Sequence, residues 1–426
     1  SLSRLDSSLR WNDNFPLKLR SKVMSDHTVL VGRRLIDGTG SAPIENPVIL
    51  VQGSKIAAVG REGEITVPQD ATKLDYGDKV LLPGLIDCHV HLCMSADDNP
   101  LARLYEDSDD MVLLRAAHNA RLALEAGVTT LRDCGGRNMV TFSIREAIEK
   151  KIINGPRLML SGRPITITGG HCFFLNGEAD GVDGVRKAAR QLIKEGADFL
   201  KIMASGGGMT PSTISKLPYY TVEELTVAAD EAHRLGRKIA AHCHSTKSIE
   251  DVLEVGVDTI EHGSFLSPDD GRRRFKPDIA ERIVASGTYV CPTISAGRRP
   301  VRPEERTDEY KSRLQTDMKD SRLALMHRAG VKIIAGTDAG VRFTTFDNYP
   351  LCLELAVAGG MTNMQAIQSG TGLAAEALGI SHIVGTVQPG KEADIIAVDG
   401  DPMEDIGALW NVAMVMKSGE PIPVSA

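Results

Sequence analysis

Between about residue 80 and about residue 375, short apolar runs alternate with longer amphipathic segments. Eight of these runs have the length of a β-strand, and they are Leu85–Leu92, Thr129–Cys134, Arg157–Gly162, Phe199–Ala204, Lys238–His244, Thr259–Phe265, Tyr289–Thr293 and Lys332–Asp338. The segments between them, such as 115–127 and 222–233, have the apolar spacing of α-helices. Several segments end at a glycine before the next run, as expected of a helix C-cap: Gly127, Gly196, Gly256, Gly287 and Gly330. Eight consecutive βα units predict the α/β class and a (β/α)₈ barrel of the TIM type, with a doubly wound sheet as the alternative.

The two ends of the chain carry a different pattern. Short apolar strands flank turn residues within 28–60 and again within 385–419, and neither end is long enough to form a stable sheet domain alone. We therefore predict a small β-sandwich domain formed by residues 24–79 and 376–426, next to a barrel of residues 80–375. Residues 1–23 are mixed polar and basic without an apolar core of the secretory type. They predict a disordered or non-native leader, with Met24 as the natural start.

Charge and cysteine usage exclude several classes of protein. The net charge of −7 argues against nucleic acid as a main partner, because phosphate binding needs a basic surface. No apolar run approaches the ~20 residues needed to cross a bilayer, so no membrane association is expected. The seven cysteines are scattered singly without a CxxC pair, which favours buried thiols, a reducing compartment and a cytoplasmic location.

Residues with metal-binding chemistry stand at the carboxyl ends of the predicted strands, where barrel enzymes hold their active sites. His89 and His91 are two positions apart on the first strand, so both imidazoles project from the same face. Further candidates end the fifth, sixth and eighth runs: His242, His244, His262 and Asp338. A single histidine in an apolar strand is usually a satisfied core residue, but this set predicts a metal site suited to Zn²⁺. Polar residues at so many strand ends also favour the barrel over the doubly wound sheet.

Lys201 lies inside the fourth apolar run, where a charged amine is expensive to bury. The residues leave three interpretations open: a buried ion pair, a neutral amine that forms a Schiff base, or a carbamate made from the amine and CO₂. A carbamate is an anion whose two oxygens can bridge two metal ions. The sequence pattern by itself does not choose among the three.

The motif Leu82-Pro-Gly-Leu-Ile-Asp-Cys-His-Val-His-Leu92 resembles the first-strand signature of the amidohydrolase superfamily. The fourth, fifth, sixth and eighth strands supply the expected residue types in order, and the chain ends resemble the β-sandwich of such enzymes. Within the superfamily, the chain is similar to the binuclear branch with a carboxylated lysine, which is called prolidase-like or imidazolonepropionase-related. True imidazolonepropionases resemble a mononuclear site, which Lys201 disfavours.

This resemblance implies two divalent metal ions, with Zn²⁺ as the first choice, and a CO₂-derived carbamate on the strand lysine. A hydroxide and the carbamate would bridge the metals. The implied ligands are His89, His91 and Asp338 for the more buried metal, His242 and His262 for the more exposed metal, and Lys201 for both. His244 faces the same side as His242 and is predicted to contact the substrate.

The implied reaction is hydrolysis of an amide or peptide bond in a dipeptide or an N-acyl amino acid. It releases a C-terminal amino acid, with proline or another apolar residue as the first choice. The bridging hydroxide would attack the carbonyl, and Asp338 would take the proton and deliver it to the leaving amine. The alternatives are a cyclic amidase or a deaminase of the same superfamily, a dipeptidase for C-terminal Arg or Lys, and a non-catalytic metal-binding scaffold. A homo-oligomer is a family-level expectation.

Four loop residues are candidates for contact with the substrate. Tyr220, after the fourth strand, matches a tyrosine of this branch and would donate to the oxyanion, with loop packing as the alternative. His171, in the glycine-rich loop after the third strand, would bind the substrate carbonyl or carboxylate, with a mobile loop as the alternative. Arg163 and Arg342 would hold a carboxylate, although surface arginines are common.

Two further stretches receive simpler interpretations. The glycines at 206–208 lack the lysine and the helix of a phosphate loop, so they are interpreted as room for the metal site. The basic run at 272–274 is predicted to be a solvated loop.

Overall fold

The structure, a computed structural model, describes residues 26–423. The predicted leader of residues 1–23 lies outside the described residues. Within them, strands form both ends of the chain, and strands alternate with helices in between.

The elements are numbered in chain order. The strands are β1 His27–Val31, β2 Arg34–Leu35, β3 Ile44–Glu45, β4 Pro47–Gln52, β5 Lys55–Arg61, β6 Thr72–Asp75, β7 Val80–Pro83, β8 Leu85–Val90, β9 Val128–Asp133, β10 Arg157–Leu160, β11 Phe199–Met203, β12 Lys238–Ser245, β13 Thr259–Leu266, β14 Tyr289–Cys291, β15 Ile395–Val398, β16 Val412–Lys417 and β17 Glu420–Ile422. The α-helices are α1 Pro100–Glu106, α2 Asp109–Glu125, α3 Val140–Glu149, α4 Gly181–Glu195, α5 Val222–Arg234, α6 Thr246–Glu254, α7 Pro277–Ser286, α8 Asp308–Met318, α9 Arg322–Arg328, α10 Tyr349–Ala358, α11 Asn363–Ser369 and α12 Gly372–Leu378.

Seven of the eight predicted runs form two parallel sheets. The strands β8, β9 and β10 make one sheet with β9 in the centre, and β11 to β14 make the other in chain order. Hydrogen bonds join the two sheets, because the Asp198 N–H donates to the Leu160 carbonyl and the Ile165 N–H donates to the Lys201 carbonyl, both at 2.8 Å. The strands are parallel, so their carboxyl ends face the same side.

The eighth predicted run, Lys332–Asp338, is not a regular strand, which corrects the prediction. The Ala335 N–H donates to the carbonyl of Ser369 at the end of α11, and the Thr337 N–H donates to the Asp87 side chain, instead of to a neighbouring strand. Residues 332–339, called the closing segment below, nevertheless make one parallel bridge to β14 and one to β8. These bridges connect the last parallel strand back to the first.

Glycines end the helices at the predicted positions. Gly196 after α4 and Gly287 after α7 have φ angles of 102° and 73°, in the left-handed region that glycine adopts without a steric penalty. The other predicted caps also have positive φ angles: Gly127, Gly256 and Gly330. The helix α4 buries Val185, Ala189 and Leu192, whose helical spacing places them on one face.

Strands from both ends of the described chain form two further sheets. Their orders are β5-β4-β1-β6 and β17-β16-β15-β7-β2-β3, so the second sheet combines strands from both ends. In that sheet β7 is antiparallel to β15, with Val80 opposite Val398. Residues of both sheets share one buried apolar cluster, for example Leu30, Leu35, Ile49, Ile395 and Met416. The strand β7, which begins at residue 80, belongs to the second sheet through its pairing with β15.

All seven cysteines are buried and carry free thiols, as their scattered positions predicted. Among the helices of residues 26–423, none combines the length and the apolar character needed to cross a bilayer.

Candidate metal centre

His89 and His91 converge on Asp338 at the carboxyl end of β8. The Nε2 atoms of the two histidines lie 3.6 and 3.4 Å from the Oδ1 atom of Asp338, and all three side chains are buried. The closing segment therefore brings a carboxylate to the histidine pair of the first strand.

The backbone around this point has an uncommon conformation. Asp338, His262 and Thr293 have φ angles of 66°, 67° and 44°. Such angles cost a residue other than glycine about 1–3 kcal/mol, and they cluster at functional sites. His262 lies within β13, Thr293 follows β14 and Asp338 lies in the closing segment, so the strain is concentrated around the metal-binding candidates.

Glu261 orients His89 from the side opposite to Asp338. Its Oε2 atom lies 2.6 Å from Nδ1 of His89, and its Oε1 atom accepts a hydrogen bond from Nη2 of Arg132 at 2.6 Å. Burial acts to raise the pKa of Glu261, but Arg132 and His89 outweigh it and keep the carboxyl ionised. An ionised acceptor places the imidazole proton on Nδ1 and leaves the lone pair on Nε2, the nitrogen that faces Asp338.

Asp87 ties the first strand to the closing segment. Its Oδ1 atom accepts hydrogen bonds from the N–H groups of Thr337 and His89 at 3.0 and 3.1 Å, and its Oδ2 atom accepts one from the Thr337 hydroxyl at 2.5 Å. Burial raises the pKa of Asp87 to about 7. Sequence analysis gave no role to Asp87, Glu261 or Arg132, although charged residues inside apolar runs were the available signal.

Two other histidines are also anchored through one ring nitrogen. Nδ1 of His91 donates to the Gly135 carbonyl at 3.1 Å, and Nε2 of His242 donates to the Gly206 carbonyl at 3.2 Å. A carbonyl oxygen only accepts hydrogen bonds, so the opposite nitrogen of each ring carries the lone pair. Metal-binding histidines are commonly anchored in this way.

His242, His244 and His262 form a compact group. The ring centroid of His242 lies 4.5 Å from each of the other two, and those two lie 4.7 Å apart. One ring nitrogen from each lies within 4.8 Å of the others, and His262 belongs to a second such group with His89 and Asp338. His244, predicted to contact the substrate, therefore lies beside the two predicted ligands of the exposed metal.

Lys201 lies among these residues with a fully buried side chain. Its Nζ atom has no hydrogen-bond partner within residues 26–423, and the same is true of Nε2 of His89. Buried polar atoms nearly always have a partner, because an unpaired one costs free energy. A donor set of imidazoles, one carboxylate and a lysine that can carry a carbamate fits metal ions, which would supply the missing partners.

Burial favours the neutral form of five histidines at the site. It lowers the pKa of His89 to about 4 and the pKa values of His171 and His244 to about 3. The pKa values of His242 and His262 are also well below the ordinary value. Neutral imidazole is the form that binds a metal.

A cavity of about 360 Å³ opens at this end of the strands, a size that suits a small-molecule ligand. The predicted site residues that line it are His89, His91, His171, Lys201, His242, His244, His262 and Asp338. The ring of His171 reaches the group from the loop after β10, 4.5 Å from the His242 ring. A Cβ atom at Gly207 would lie 2.3 Å from Nε2 of His171. Glycine at this position therefore gives room to His171.

Three predicted substrate residues do not line this cavity. The Tyr220 hydroxyl donates to the Ala179 carbonyl at 2.7 Å. Arg163 pairs with Glu195 at 2.5 Å, and Arg342 is exposed with its guanidinium 4.5 Å from a neighbouring aromatic ring. Each of the three side chains is held by a neighbouring group outside the cavity. The sequence of a loop does not show which neighbour a side chain will contact.

Three arginines without a predicted role also line the cavity: Arg273, Arg298 and Arg322. Arg273 belongs to the run 272–274, for which a solvated loop was predicted. A backbone bridge between Leu266 and Arg273 folds this loop back onto the end of β13. Arg273 is exposed, in agreement with the prediction, and it also borders the cavity. Asp338 is the only acidic residue of the lining.

Comparison with known proteins places the chain in a family. The model of the amidohydrolase family matches residues 80–422. Ochratoxinase from Aspergillus niger is 31% identical over 431 aligned positions, which cover 92% of this chain and 85% of the relative.

Solved structures give the same assignment. A Xaa-Pro dipeptidase with methionine bound in its active site has a TM-score of 0.80 at 31% identity, covering 93% of this chain and 99% of the other. A prolidase in complex with N-methylphosphonate-L-proline has a TM-score of 0.79 at 28% identity, with 93% and 99% covered. The chain therefore belongs to the amidohydrolase family and is a metal-dependent hydrolase.

Proposed function

We propose that the protein hydrolyses an amide or peptide bond and releases a C-terminal amino acid from a dipeptide or an N-acyl amino acid. The convergence of His89 and His91 on Asp338, beside a buried Lys201 with an unpartnered Nζ atom, is the observation that carries the proposal. It supports two divalent metal ions, Zn²⁺ first, and a carbamate on the lysine. The proposed ligands are His89, His91 and Asp338 for one metal, His242 and His262 for the other, and Lys201 for both.

The protein residues have distinct tasks in this reaction. Metal ions held here would supply an activated water and polarise the scissile carbonyl. Asp338 is ionised, so its carboxylate can accept a proton and return it to the leaving nitrogen. His171 and His244 line the same cavity as neutral imidazoles and can donate a hydrogen bond to the substrate carbonyl or carboxylate.

The proposal includes the predicted architecture. Strands β8 to β14 and the closing segment would form the (β/α)₈ barrel within residues 80–375, and the terminal sheets would form the β-sandwich of residues 24–79 and 376–426. The hydrogen bonds between β10 and β11 and the two bridges of the closing segment support the barrel. The apolar cluster shared by the two terminal sheets supports the sandwich.

The comparisons and the cavity lining both bear on which C-terminal amino acid is released. The names of the dipeptidase and the prolidase support proline or another apolar residue as the first to test. Met203, Met209 and Ile294 give the cavity an apolar part. A C-terminal Arg or Lys is less favourable, because Asp338 is the only acidic residue of a lining that already contains three arginines.

The test is purification with Zn²⁺ and bicarbonate, followed by measurement of metal per chain and a screen of dipeptides and N-acyl amino acids. We expect about two metals per chain and turnover that falls at least about 100-fold in Asp338→Asn, since proton transfer contributes a factor of that size. Asp230→Asn, at an exposed position of α5, is the control and should retain turnover. Turnover of cyclic amides alone would replace the proposal with a cyclic amidase, and turnover that survives Asp338→Asn would contradict the role of Asp338.

A further inference from the structure

Two arginines at the cavity have no partner of their own. Within residues 26–423, the side chains of Arg273 and Arg298 make no hydrogen bond and no ion pair, although both line the cavity. The flanking residues differ, because Arg272 and Arg274 both pair with Asp270. Within the loop 272–274, the guanidinium group without a partner is therefore the one at the cavity, where a ligand can reach it.

Arg322 is the fixed member of the group. Its Nε atom donates to the His262 carbonyl at 3.0 Å, and its Nη2 atom donates to the Pro292 carbonyl. The three guanidinium groups line the same cavity of about 360 Å³, and Arg322 holds its place there beside a predicted metal ligand.

This arrangement leaves positive charge without compensation. The lining carries three guanidinium groups and a single carboxylate, Asp338, which the histidines of the metal centre already engage. One substrate α-carboxylate would neutralise one arginine, because an arginine pairs with a carboxylate through parallel hydrogen bonds. Clustered arginines match two carboxylates that are close together, as they are in one aspartate or glutamate residue.

We infer that the released amino acid is acidic: the cavity takes dipeptides or N-acyl amino acids that end in Glu or Asp, and Arg273, Arg298 and Arg322 hold the two carboxylates. The inference rests on the proposed function and replaces its apolar first choice for the released residue. The apolar part of the lining, which includes Met203 and Met209, then contacts the acyl side of the substrate.

The test compares substrates of equal shape and different charge. Hydrolysis of Ala-Glu is measured against Ala-Gln, and N-acetyl-Glu against N-acetyl-Gln, with the metal-loaded full chain. We expect kcat/KM to be at least about tenfold higher for the acidic member, since one charge-assisted hydrogen bond is worth about that factor. Equal values for the acidic and neutral members, with turnover present, would overturn the inference and leave the proposed function standing.

Variants link the preference to the arginines. Arg273→Gln and Arg298→Gln should each reduce the Glu/Gln ratio by about tenfold, for the same energetic reason. Arg272→Gln and Arg299→Gln are matched controls one position away, at exposed residues outside the lining, and should keep the ratio. A ratio that survives in both cavity variants would overturn the assignment.

A binding measurement separates this inference from the proposed function. Calorimetry with L-glutamate and L-glutamine needs no turnover, and we expect glutamate to bind at least about tenfold more tightly in the wild type and to lose this advantage in Arg273→Gln. If no amide is hydrolysed while this difference is observed, the proposed reaction is wrong and the site for a dicarboxylate stands. Equal affinities of the two amino acids would overturn the inference.

Discussion

The Oε2 atom of Glu261 lies 2.6 Å from Nδ1 of His89, so a buried carboxylate fixes the orientation of a predicted metal ligand. Glu261→Gln keeps the shape of the side chain and removes its charge, which leaves Arg132 buried without an anion. We expect metal affinity to fall about 10–100-fold and the free energy of unfolding to fall by about 3 kcal/mol. Chelator competition and urea unfolding measure the two effects. Glu281→Gln, on the exposed face of α7, is the control, and unchanged metal affinity in Glu261→Gln would contradict the role given to Glu261.

Lys201→Met should separate metal binding from folding. The Nζ atom has no protein partner, so an apolar side chain of similar length should fold as well as lysine or better in the metal-free protein. The same change removes the carbamate, and we expect fewer metal ions per chain and little turnover. Thermal unfolding without metal and metal analysis after reconstitution provide the readouts. A large loss of stability in the metal-free variant would show that the amine has a structural partner.

Acid should destabilise the metal-free protein. Burial lowers the pKa of His171 from 6.5 to about 3, so between these pH values the unfolded chain binds a proton that the folded chain does not. The free energy of unfolding therefore decreases as the pH falls through 6.5 towards 4. His171→Gln should reduce this decrease by about 2 kcal/mol or more, whereas His118→Gln, at an exposed position, should not. Urea unfolding at pH 7, 5.5 and 4 measures the slope, and identical slopes in all three proteins would refute the prediction.

Gly207→Ala should disturb His171 directly. The new Cβ atom would lie 2.3 Å from the imidazole Nε2, whereas a Cβ atom at Gly208 meets no heavy atom within 4 Å. We expect turnover to fall at least about tenfold in Gly207→Ala, because small displacements in an active site have effects of this size or larger. Gly208→Ala is the control: Gly208 also lines the cavity, but its new Cβ atom leaves His171 in place, so this variant should retain most of the turnover. Similar steady-state kinetics for the two variants would show that the position of His171 does not matter for the reaction.

Tyr220→Phe tests a role that was predicted from sequence alone. The hydroxyl donates to the Ala179 carbonyl, so its removal should lower the free energy of unfolding by about 1 kcal/mol and leave kcat/KM unchanged. Unfolding and steady-state kinetics on the same preparation give both values. A fall in kcat of about 100-fold would instead assign Tyr220 to the oxyanion.

The parallel strands could be predicted because each is a short apolar run between helical segments and turn residues. The closing segment could not be predicted in detail, since the Ala335 and Thr337 N–H groups donate to Ser369 at the end of α11 and to Asp87, which are both distant in sequence. Periodicity contains no information about such partners. The position of the segment next to β8 and β14 nevertheless followed from the order of the strands.

The residues of the site also divide into those that could be predicted from the sequence and those that could not. His89, His91 and Lys201 stand in or directly after strands, where alternation sets the direction of a side chain, and the structure brings them to one cavity. Arg163 and Arg342 stand in loops, where an ion pair or an aromatic neighbour sets that direction. Arg273 shows the opposite case, a loop residue that lines the cavity without having been predicted there. Only the folded loop shows which residue of the basic run lies next to the cavity.

The pairing of β7 with β15 has a consequence for biosynthesis. The ribosome makes Val80–Pro83 well before its partner Ile395–Val398, because the two strands are far apart in the sequence. The Gly84 N–H also donates to the carbonyl of Asp394, and β8 with His89 begins at the next residue. A nascent or truncated chain that lacks this partner therefore exposes an apolar strand edge, which chaperones and proteases recognise. The strand that leads to the metal centre is secured only after Ile395–Val398 has been translated.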